Sequence, residues 1–169
     1  MIEVYPGLFV GTQRDCPLYA ARLAGRWATV HAYPPCHCDA LGYTTLGTPE
    51  GPEYYLARRE QHLLLNLPDA ARPEFIHKEA QIDPALHFID EQRALGASIL
   101  IHCEQGWSRS SSLALLYLAT RLGALPNDSL AAAEAQFKVH YPGYLPGYGI
   151  WAHLRDHWPQ YCENGRASA

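Results

Sequence analysis

Residues 97–119 read Ala-Ser-Ile-Leu-Ile-His-Cys-Glu-Gln-Gly-Trp-Ser-Arg-Ser-Ser-Ser-Leu-Ala-Leu-Leu-Tyr-Leu-Ala, and this stretch decides the fold of the chain. Its first five residues form a short apolar run with the length and branching of a buried strand. The residues from Ser111 to Ala119 are rich in helix formers and form a run too long for a typical strand. The loop between strand and helix therefore lies at a helix amino end, where free N–H groups and the helix dipole favour a bound anion.

The composition of this loop matches a phosphate-binding site. Cys103 and Arg109 are separated by five residues, with Gly106 between them. Glycine allows the tight bend that turns successive amides inward around phosphate oxygens. The guanidinium of Arg109 has the planar shape that holds two phosphate oxygens at once. The predicted phosphate-binding residues are Glu104, Gln105, Gly106, Trp107, Ser108 and Arg109.

Cys103 is the predicted nucleophile of the loop. Thiols near a helix amino end and an arginine have pKa values of roughly 3.5–7.5 instead of about 8.5, and the thiolate is the reactive form. Ser110 is placed to donate its hydroxyl to that thiolate, and His102 to orient the loop through its ring nitrogens. The alternative is an ordinary buried cysteine after a core strand. The flanking histidine, the central glycine and Ser110 together favour the functional interpretation.

These residues resemble the signature of the cysteine-dependent protein tyrosine phosphatases, and most closely that of their dual-specificity branch. The resemblance extends to residues 5–11, which look like the opening strand of that family, and to residues 140–146, which look like the segment before its last helix. It fades over residues 34–59. The family often carries an asparagine that braces the phosphate loop, and none is present at residues 146–148.

The resemblance implies a general acid on a loop roughly thirty residues before the cysteine. Asp69 lies 34 residues before Cys103, after a strand-like run and before a loop-like segment. Negative charge from a bound phosphate dianion and a thiolate favours the protonated form of a neighbouring carboxyl, which is the form that a general acid needs. Alternatively, Asp69 only begins a turn after proline. Asp83 is the rival acid, but the pair Asp83-Pro84 is more typical of a helix N-cap followed by its first residue.

The implied activity is metal-independent hydrolysis of phosphotyrosine, with or without phosphoserine and phosphothreonine, through a phosphocysteine intermediate. In this interpretation Cys103, Arg109, Asp69 and Ser110 are the catalytic residues, with no cofactor and no metal ligand. Two alternatives stay open. One is a phosphatase of a non-protein phosphoester, such as an inositol phosphate or an RNA 5′ end. The other is a catalytically silent phosphate-binding module.

The order of the elements predicts an α/β fold. Strands alternating with helices indicate one mostly parallel sheet of about four or five strands, with helices on both faces and the ligand at the carboxyl ends of the strands. We expect one strand over residues 4–11, a helix over 17–24, and helices over 83–95, 110–122, 129–139 and 149–157. One catalytic domain is predicted over residues 1–162, with a frayed tail over 163–169.

Charge and composition limit the partners. A net charge of −4 argues against a nucleic-acid partner, and no apolar run is long enough to span a bilayer. The odd number of five cysteines disfavours a disulfide framework and favours a reducing cytoplasm. The predicted partners are a phosphorylated protein or peptide and a phosphate or sulfate anion in the site, and the chain is expected to be a monomer.

The segment at residues 34–39 contains two further thiols. A loop with incidental cysteines is the favoured interpretation, and the alternatives are a zinc site or a reversible disulfide between Cys103 and either Cys36 or Cys38. The nine histidines of the chain suggest no further constellation.

Aromatic residues near the loop are candidates for stacking on a substrate ring. Trp107 is preferred because a large side chain inside a phosphate loop is difficult to bury completely. Tyr43, Tyr54 and Tyr55 either contribute to the rim of the pocket or pack a long loop onto the core.

Overall fold

A six-stranded sheet organises the computed structural model, which describes residues 1–16, 25–43 and 50–166 of the chain. The strands are Ile2–Tyr5 (β1), Leu8–Gly11 (β2), Trp27–His31 (β3), Leu56–Arg59 (β4), His62–Leu65 (β5) and Ser98–His102 (β6). Their order across the sheet is β1-β2-β6-β3-β5-β4. The four inner strands run parallel, and the two edge strands pair antiparallel with their neighbours. The predicted α/β class with a mostly parallel sheet is confirmed.

The described helices cover both faces of this sheet. They are Pro34–Leu41 (α1), Asp83–Ala94 (α2), Arg109–Thr120 (α3), Leu130–His140 (α4) and Tyr148–Arg166 (α5). Short helical turns lie at Gln13–Asp15, Pro73–Phe75 and Lys78–Ile82. None of the helices among the described residues combines the length and the apolar character needed to cross a bilayer.

Side-chain alternation along the inner strands separates two cores. Leu63 and Leu65 of β5 belong to the large core beneath α2, α3 and α5, as do Ile99 and Ile101 of β6. Leu64 points to the opposite face, where it packs with two buried cysteines and with α1. This period of two is the geometry of a strand whose faces are both covered. The same alternation places the last residues of β3 and β6 on the α1 face.

The two edges of the sheet differ from the sequence prediction. The expected strand over residues 4–11 is a hairpin, because the chain turns at Gly7 with a φ of 72° and forms β1 and β2. The edge strand β4 carries no hydrophobic alternation and was missed. These two differences raise the strand number from the predicted four or five to six.

Helix α1 corrects the prediction of a loop at residues 34–39. Pro34 and Pro35 occupy the first turn, where a missing N–H costs no hydrogen bond. Gly42 ends the helix in the left-handed conformation with a φ of 77°.

The helix expected over residues 17–24 lies outside the described residues. Helix α5 extends to Arg166, beyond the predicted end at residue 157 and into the segment expected to fray. The domain boundary at residue 162 stays a prediction.

Candidate active site

The phosphate-loop cysteine lies between the carboxyl end of β6 and the first turn of α3. Cys103 is 2% exposed, and its Sγ accepts hydrogen bonds from the Ser110 hydroxyl at 3.1 Å and from the Gly106 amide at 3.3 Å. Both donors stabilise a sulfur that carries negative charge. The structure therefore brings Ser110 to the position expected from the sequence.

The loop amides are available to a ligand. In the part of the chain that the structure describes, no protein atom accepts a hydrogen bond from the backbone N–H of Glu104, Gln105, Trp107 or Ser108. The loop continues directly into α3, whose amino end adds the positive end of its dipole. Converging free amides at a helix amino end form a binding site for an oxyanion.

Arg109 is almost completely buried beneath the cavity. It is 4% exposed, and its Nη1 donates to the carbonyl oxygen of Leu67 at 3.4 Å. Its Nη2 lies 3.6 Å from a carboxylate oxygen of Asp69 and 3.8 Å from one of Glu104. Among the described residues no atom accepts a hydrogen bond from its Nε. A buried guanidinium with an unsatisfied donor is suited to an anionic ligand.

Asp69 lies at the edge of the same cavity. Its Oδ1 accepts a hydrogen bond from the Ser108 hydroxyl at 2.9 Å, and the same hydroxyl accepts from the Gly147 amide at 2.9 Å. The side chain is 45% exposed. The rival Asp83 instead accepts from the Nζ of Lys78 at 2.7 Å at the start of α2, and it does not line the cavity.

The site opens as a cavity of about 380 Å³. It is lined by Asp69, Cys103, Glu104, Gln105, Trp107, Ser108, Arg109, Leu145, Pro146 and Gly147. Trp107 is 51% exposed at its mouth, as the sequence analysis expected. The tyrosines that were its rivals lie elsewhere. The rings of Tyr54 and Tyr55 pack edge to face with their centroids 4.8 Å apart, and Tyr43 and Tyr54 line a different cavity.

Contacts from residues 141–147 brace the loop in place of the asparagine that the family often carries. The hydroxyl of Tyr141 donates to the carbonyl oxygen of Gly106 at 3.2 Å, and the Leu145 amide donates to that of Trp107 at 2.9 Å. Gly106 has a φ of 82°, and a Cβ there would lie 3.0 Å from the Tyr141 hydroxyl. Sequence reasoning missed Tyr141 because its distance along the chain from the loop hides the contact.

His102 begins a buried row of histidines on the α1 face. Its Nδ1 lies 3.4 Å from the carbonyl oxygen of Cys103, and its Nε2 lies 2.7 Å from Nδ1 of His31. The row continues from Nε2 of His31 to Nδ1 of His62, over 3.0 Å. Burial lowers the pKa of His31 to about 4. The expectation that the histidines form no constellation was wrong, because adjacent parallel strands bring β3, β5 and β6 together.

Tyr33 is a second residue near the site that the sequence analysis missed. Its ring lies against the guanidinium of Arg109, 5.7 Å from centroid to Cζ. Burial, followed by the negative charge of Glu104, raises the pKa of its hydroxyl. The position of a tyrosine just before the two prolines of α1 gave no signal of this contact.

Comparison with known proteins gives the fold a family context. No protein-family model matches the chain. The curated dual specificity protein phosphatase 1 of Arabidopsis thaliana is 35% identical over 78 residues, which are 46% of this chain and 37% of that protein. The match thus spans little more than a third of the length of that relative.

Solved structures match over nearly the whole chain. Human DUSP28 matches with a TM-score of 0.64 and 22% identity, covering 100% of both chains. DUSP15 matches with a TM-score of 0.68 and 19% identity, covering 99% of this chain and 93% of the other. The chain therefore has the fold of the dual-specificity branch of the cysteine-based protein tyrosine phosphatases, which confirms the resemblance inferred from its signature.

Proposed function

We propose that the protein is a cysteine-based phosphatase that hydrolyses phosphotyrosine in proteins through a phosphocysteine intermediate. One observation carries the proposal: a buried thiol with two hydrogen-bond donors, a buried guanidinium and a carboxylate surround the same cavity. These groups supply the nucleophile, the positive charge and the proton that cleavage of a phosphoester requires.

In the first step the thiolate of Cys103 attacks phosphorus opposite the leaving oxygen. An S–P bond forms while the P–O bond to the substrate breaks. The loop amides and Arg109 hold the three equatorial oxygens, and their positive charge takes the role that magnesium has in other phosphoryl-transfer sites. The chemical step accordingly needs no metal. Asp69 gives its proton to the departing oxygen, so the product leaves as a neutral alcohol.

In the second step a water molecule attacks the phosphocysteine. Asp69, now ionised, takes a proton from the water while the water oxygen bonds to phosphorus. The S–P bond breaks, and the electron pair returns to Cys103 as a thiolate. The Ser110 hydroxyl, 3.1 Å from that sulfur, stabilises the leaving thiolate. Inorganic phosphate is the product, and the enzyme returns to its starting state.

The charge of the site supports a phosphoprotein over a polyphosphorylated substrate. The carboxylate of Glu104 lies 3.8 Å from Nη2 of Arg109 and is about half exposed. Extra phosphate groups outside the loop would meet this negative charge. The exposed indole of Trp107 and the side chain of Leu145 instead offer an apolar rim against which a phenyl ring can pack.

The remaining expectations belong to the same proposal. We propose that residues 1–162 form one catalytic domain and that the protein acts as a monomer in the cytoplasm. We further propose that its chemistry needs no cofactor and that it binds neither nucleic acid nor membrane. The net charge of −4 supports the absence of a nucleic-acid partner.

The test compares matched phosphotyrosine and phosphothreonine peptides without added metal. Initial rates are measured with and without EDTA, beside the Cys103→Ser variant. We expect metal-independent turnover that the variant loses completely, while the variant keeps its affinity for a phosphate-mimicking oxyanion because the amides and Arg109 remain. The ratio of the two rates reports how deep a phosphorylated side chain must reach.

The Asp69→Asn variant tests the acid separately. General acids contribute roughly 10²- to 10⁴-fold to a rate. We expect a loss of that size for an alkyl phosphate and a much smaller one for an aryl phosphate whose phenol leaves unaided. An equal loss for both substrates would contradict the role of Asp69.

If the wild-type protein turns over neither the phosphotyrosine nor the phosphothreonine peptide, a non-protein phosphoester substrate or a silent binding module becomes the better interpretation.

A further inference from the structure

Four buried side chains that take no part in the proposed reaction lie beneath the phosphate loop, with their possible metal-ligand atoms facing one another. They are Cys16, His31, Cys36 and His102, and each is 0% exposed. The four candidate ligand atoms all lie within 4.8 Å of one another. They come from four separate parts of the fold: the segment after the Gln13–Asp15 turn, the end of β3, the first turn of α1, and the end of β6.

The distances within this cluster are close to those of a tetrahedral metal site. Two sulfurs on a tetrahedral zinc ion are about 3.8 Å apart, since each Zn–S bond is about 2.3 Å. The Sγ atoms of Cys16 and Cys36 are 3.9 Å apart. A sulfur and a nitrogen on the same ion are about 3.6 Å apart, and Sγ of Cys16 lies 3.4 Å from Nδ1 of His31.

Two pairs must adjust when an ion enters. The nitrogens of His31 and His102 are 2.7 Å apart, whereas two nitrogens on a tetrahedral zinc ion are separated by about 3.3 Å. The widest pair, at 4.8 Å or less, must close by about 1 Å. Shifts of this size are within reach of side-chain rotation.

The second nitrogen of each imidazole has an acceptor, as in established metal sites. Nδ1 of His102 lies 3.4 Å from the carbonyl oxygen of Cys103, which can accept its proton, and in that tautomer the lone pair on Nε2 faces the cluster. Nε2 of His31 lies 3.0 Å from Nδ1 of His62, which can accept its proton. A ligating histidine almost always donates its other ring N–H to such a partner.

We propose that Cys16, His31, Cys36 and His102 bind one zinc ion as a closed structural site. Two cysteines and two histidines form a donor set that selects zinc, and four protein ligands leave no position open for substrate. Binding releases one proton from each thiol, so the site holds Zn²⁺ and two thiolates with a net charge of zero. Electroneutrality suits the complete burial of all four side chains.

A disulfide fits the same atoms less well. The two sulfurs would have to approach from 3.9 Å to about 2.05 Å, and such a bond would use neither imidazole. A Cys16–Cys36 disulfide would also differ from the disulfide with Cys103 that was an alternative in the sequence analysis, because Cys36 lies next to Cys16.

The proposed ion joins the phosphate loop to the rest of the sheet. His102 precedes the nucleophile directly, and its carbonyl oxygen accepts from the Ala32 amide at 2.8 Å. The carbonyl oxygen of Glu104 accepts from the Gln13 amide at 3.1 Å. Zinc would tie these same segments together from below, so it stabilises the fold and the loop without touching substrate.

The first experiment measures the zinc content of the wild-type protein. The chain is purified without chelator, dialysed against metal-free buffer, and analysed by inductively coupled plasma mass spectrometry. We expect about one zinc ion per chain. Cobalt substituted for it should give the visible d–d bands of a tetrahedral site and a charge-transfer band from thiolate. Neither readout depends on a variant folding or on phosphatase activity.

Single variants then locate the ion. Cys16→Ser and Cys36→Ser should each reduce the zinc content at least fivefold and lower the melting temperature. Cys38→Ser is the matched control, because it lies in the same helix as Cys36 but outside the four-donor cluster, and it should keep the full zinc content. Equal zinc content in all three variants and the wild type would overturn the assignment.

The remaining outcomes also decide the matter. Wild-type protein without zinc, even after refolding with zinc present, refutes the proposal. A protein mass two hydrogens below that of the fully reduced chain would show a disulfide instead, provided that Cys16 and Cys36 become accessible to alkylation only after reduction. Zinc content is measured without substrate, so a protein that binds no zinc would refute the zinc site and leave the phosphatase proposal intact. A protein that binds zinc but hydrolyses no phosphoester would refute the phosphatase proposal and leave the zinc site intact.

Discussion

A buried histidine on the last helix should make the stability of this protein depend on pH. His153 of α5 is 2% exposed, its Nε2 lies 2.9 Å from the hydroxyl of Tyr161, and its ring stacks on that of His157. Burial, followed by the neighbouring His157, lowers the pKa of His153 to about 4. In the folded protein this imidazole is therefore neutral over most of the range in which a free histidine becomes charged.

The size of the effect follows from proton linkage. A histidine in the unfolded chain has a pKa of about 6.5, so between pH 6.5 and pH 4 the unfolded state binds more protons than the folded state. The free energy of unfolding consequently falls as the pH is lowered through that window and is fully retained above it. With a folded-state pKa of about 4, His153 alone should remove about 2 kcal/mol between pH 7 and pH 5.

Urea denaturation at pH 7 and pH 5 measures this loss. His153→Gln keeps a group that can hydrogen-bond Tyr161 but removes the titration, so the variant should lose about 2 kcal/mol less than the wild type between the two pH values. His87→Gln, on an exposed position of α2, is the matched control and should behave as the wild type does. Burial also lowers the pKa of His31, and subtracting the loss of the variant from the loss of the wild type cancels that contribution, because His31 is present in both proteins.

One result would refute this reasoning. If His153→Gln and the wild type lose the same free energy between pH 7 and pH 5, then His153 is not held neutral in the folded protein. A variant less stable by the same amount at both pH values would show only the loss of a packing or hydrogen-bond contact.

Three further substitutions test how the site is built. Ser110→Ala removes the donor 3.1 Å from the nucleophilic sulfur and should slow breakdown of the phosphocysteine roughly 10- to 100-fold, visible as a burst in rapid-quench kinetics; slowing confined to the first step would contradict this role. Tyr141→Phe removes the donor to the Gly106 carbonyl and should weaken inhibition by vanadate roughly fivefold, whereas an unchanged inhibition constant would mean that the brace is dispensable. Gly147→Ala places a Cβ 2.8 Å from Oδ1 of Asp69 and should lower kcat for alkyl phosphates far more than for aryl phosphates; a uniform fall would indicate general disruption of the loop.

The central part of the fold was predictable because its signals are local. The apolar run of β6, the glycine in the loop and the helix formers of α3 are contiguous, so strand, loop and helix could be located from the sequence. The predicted boundaries of α2 are also close to the observed ones, since the proline in the first turn is a local start signal and Gly96 after the last turn is a local stop signal.

The missed elements lacked such signals. Edge strand β4 contains Arg58 and Arg59, both exposed, and is a strand because it pairs with β5. Helix α1 lies where the sequence analysis predicted a loop, and its two prolines are tolerated because they occupy the first turn. In both cases the deciding interaction is with a neighbouring segment or depends on position within the element.

The sequence by itself determined the loop chemistry: a thiol, an arginine and a serine at fixed spacing, presented at a helix amino end. That information is contained in covalent neighbours, whose geometry the backbone fixes. Only the tertiary structure decided what surrounds the loop. Tyr141 reaches Gly106 from a distant segment, and His31 meets His102 because parallel strands place their carboxyl ends side by side. The first contact depends on how the end of α4 packs against the phosphate loop, and the second depends on which strands are adjacent in the sheet. No local pattern specifies either.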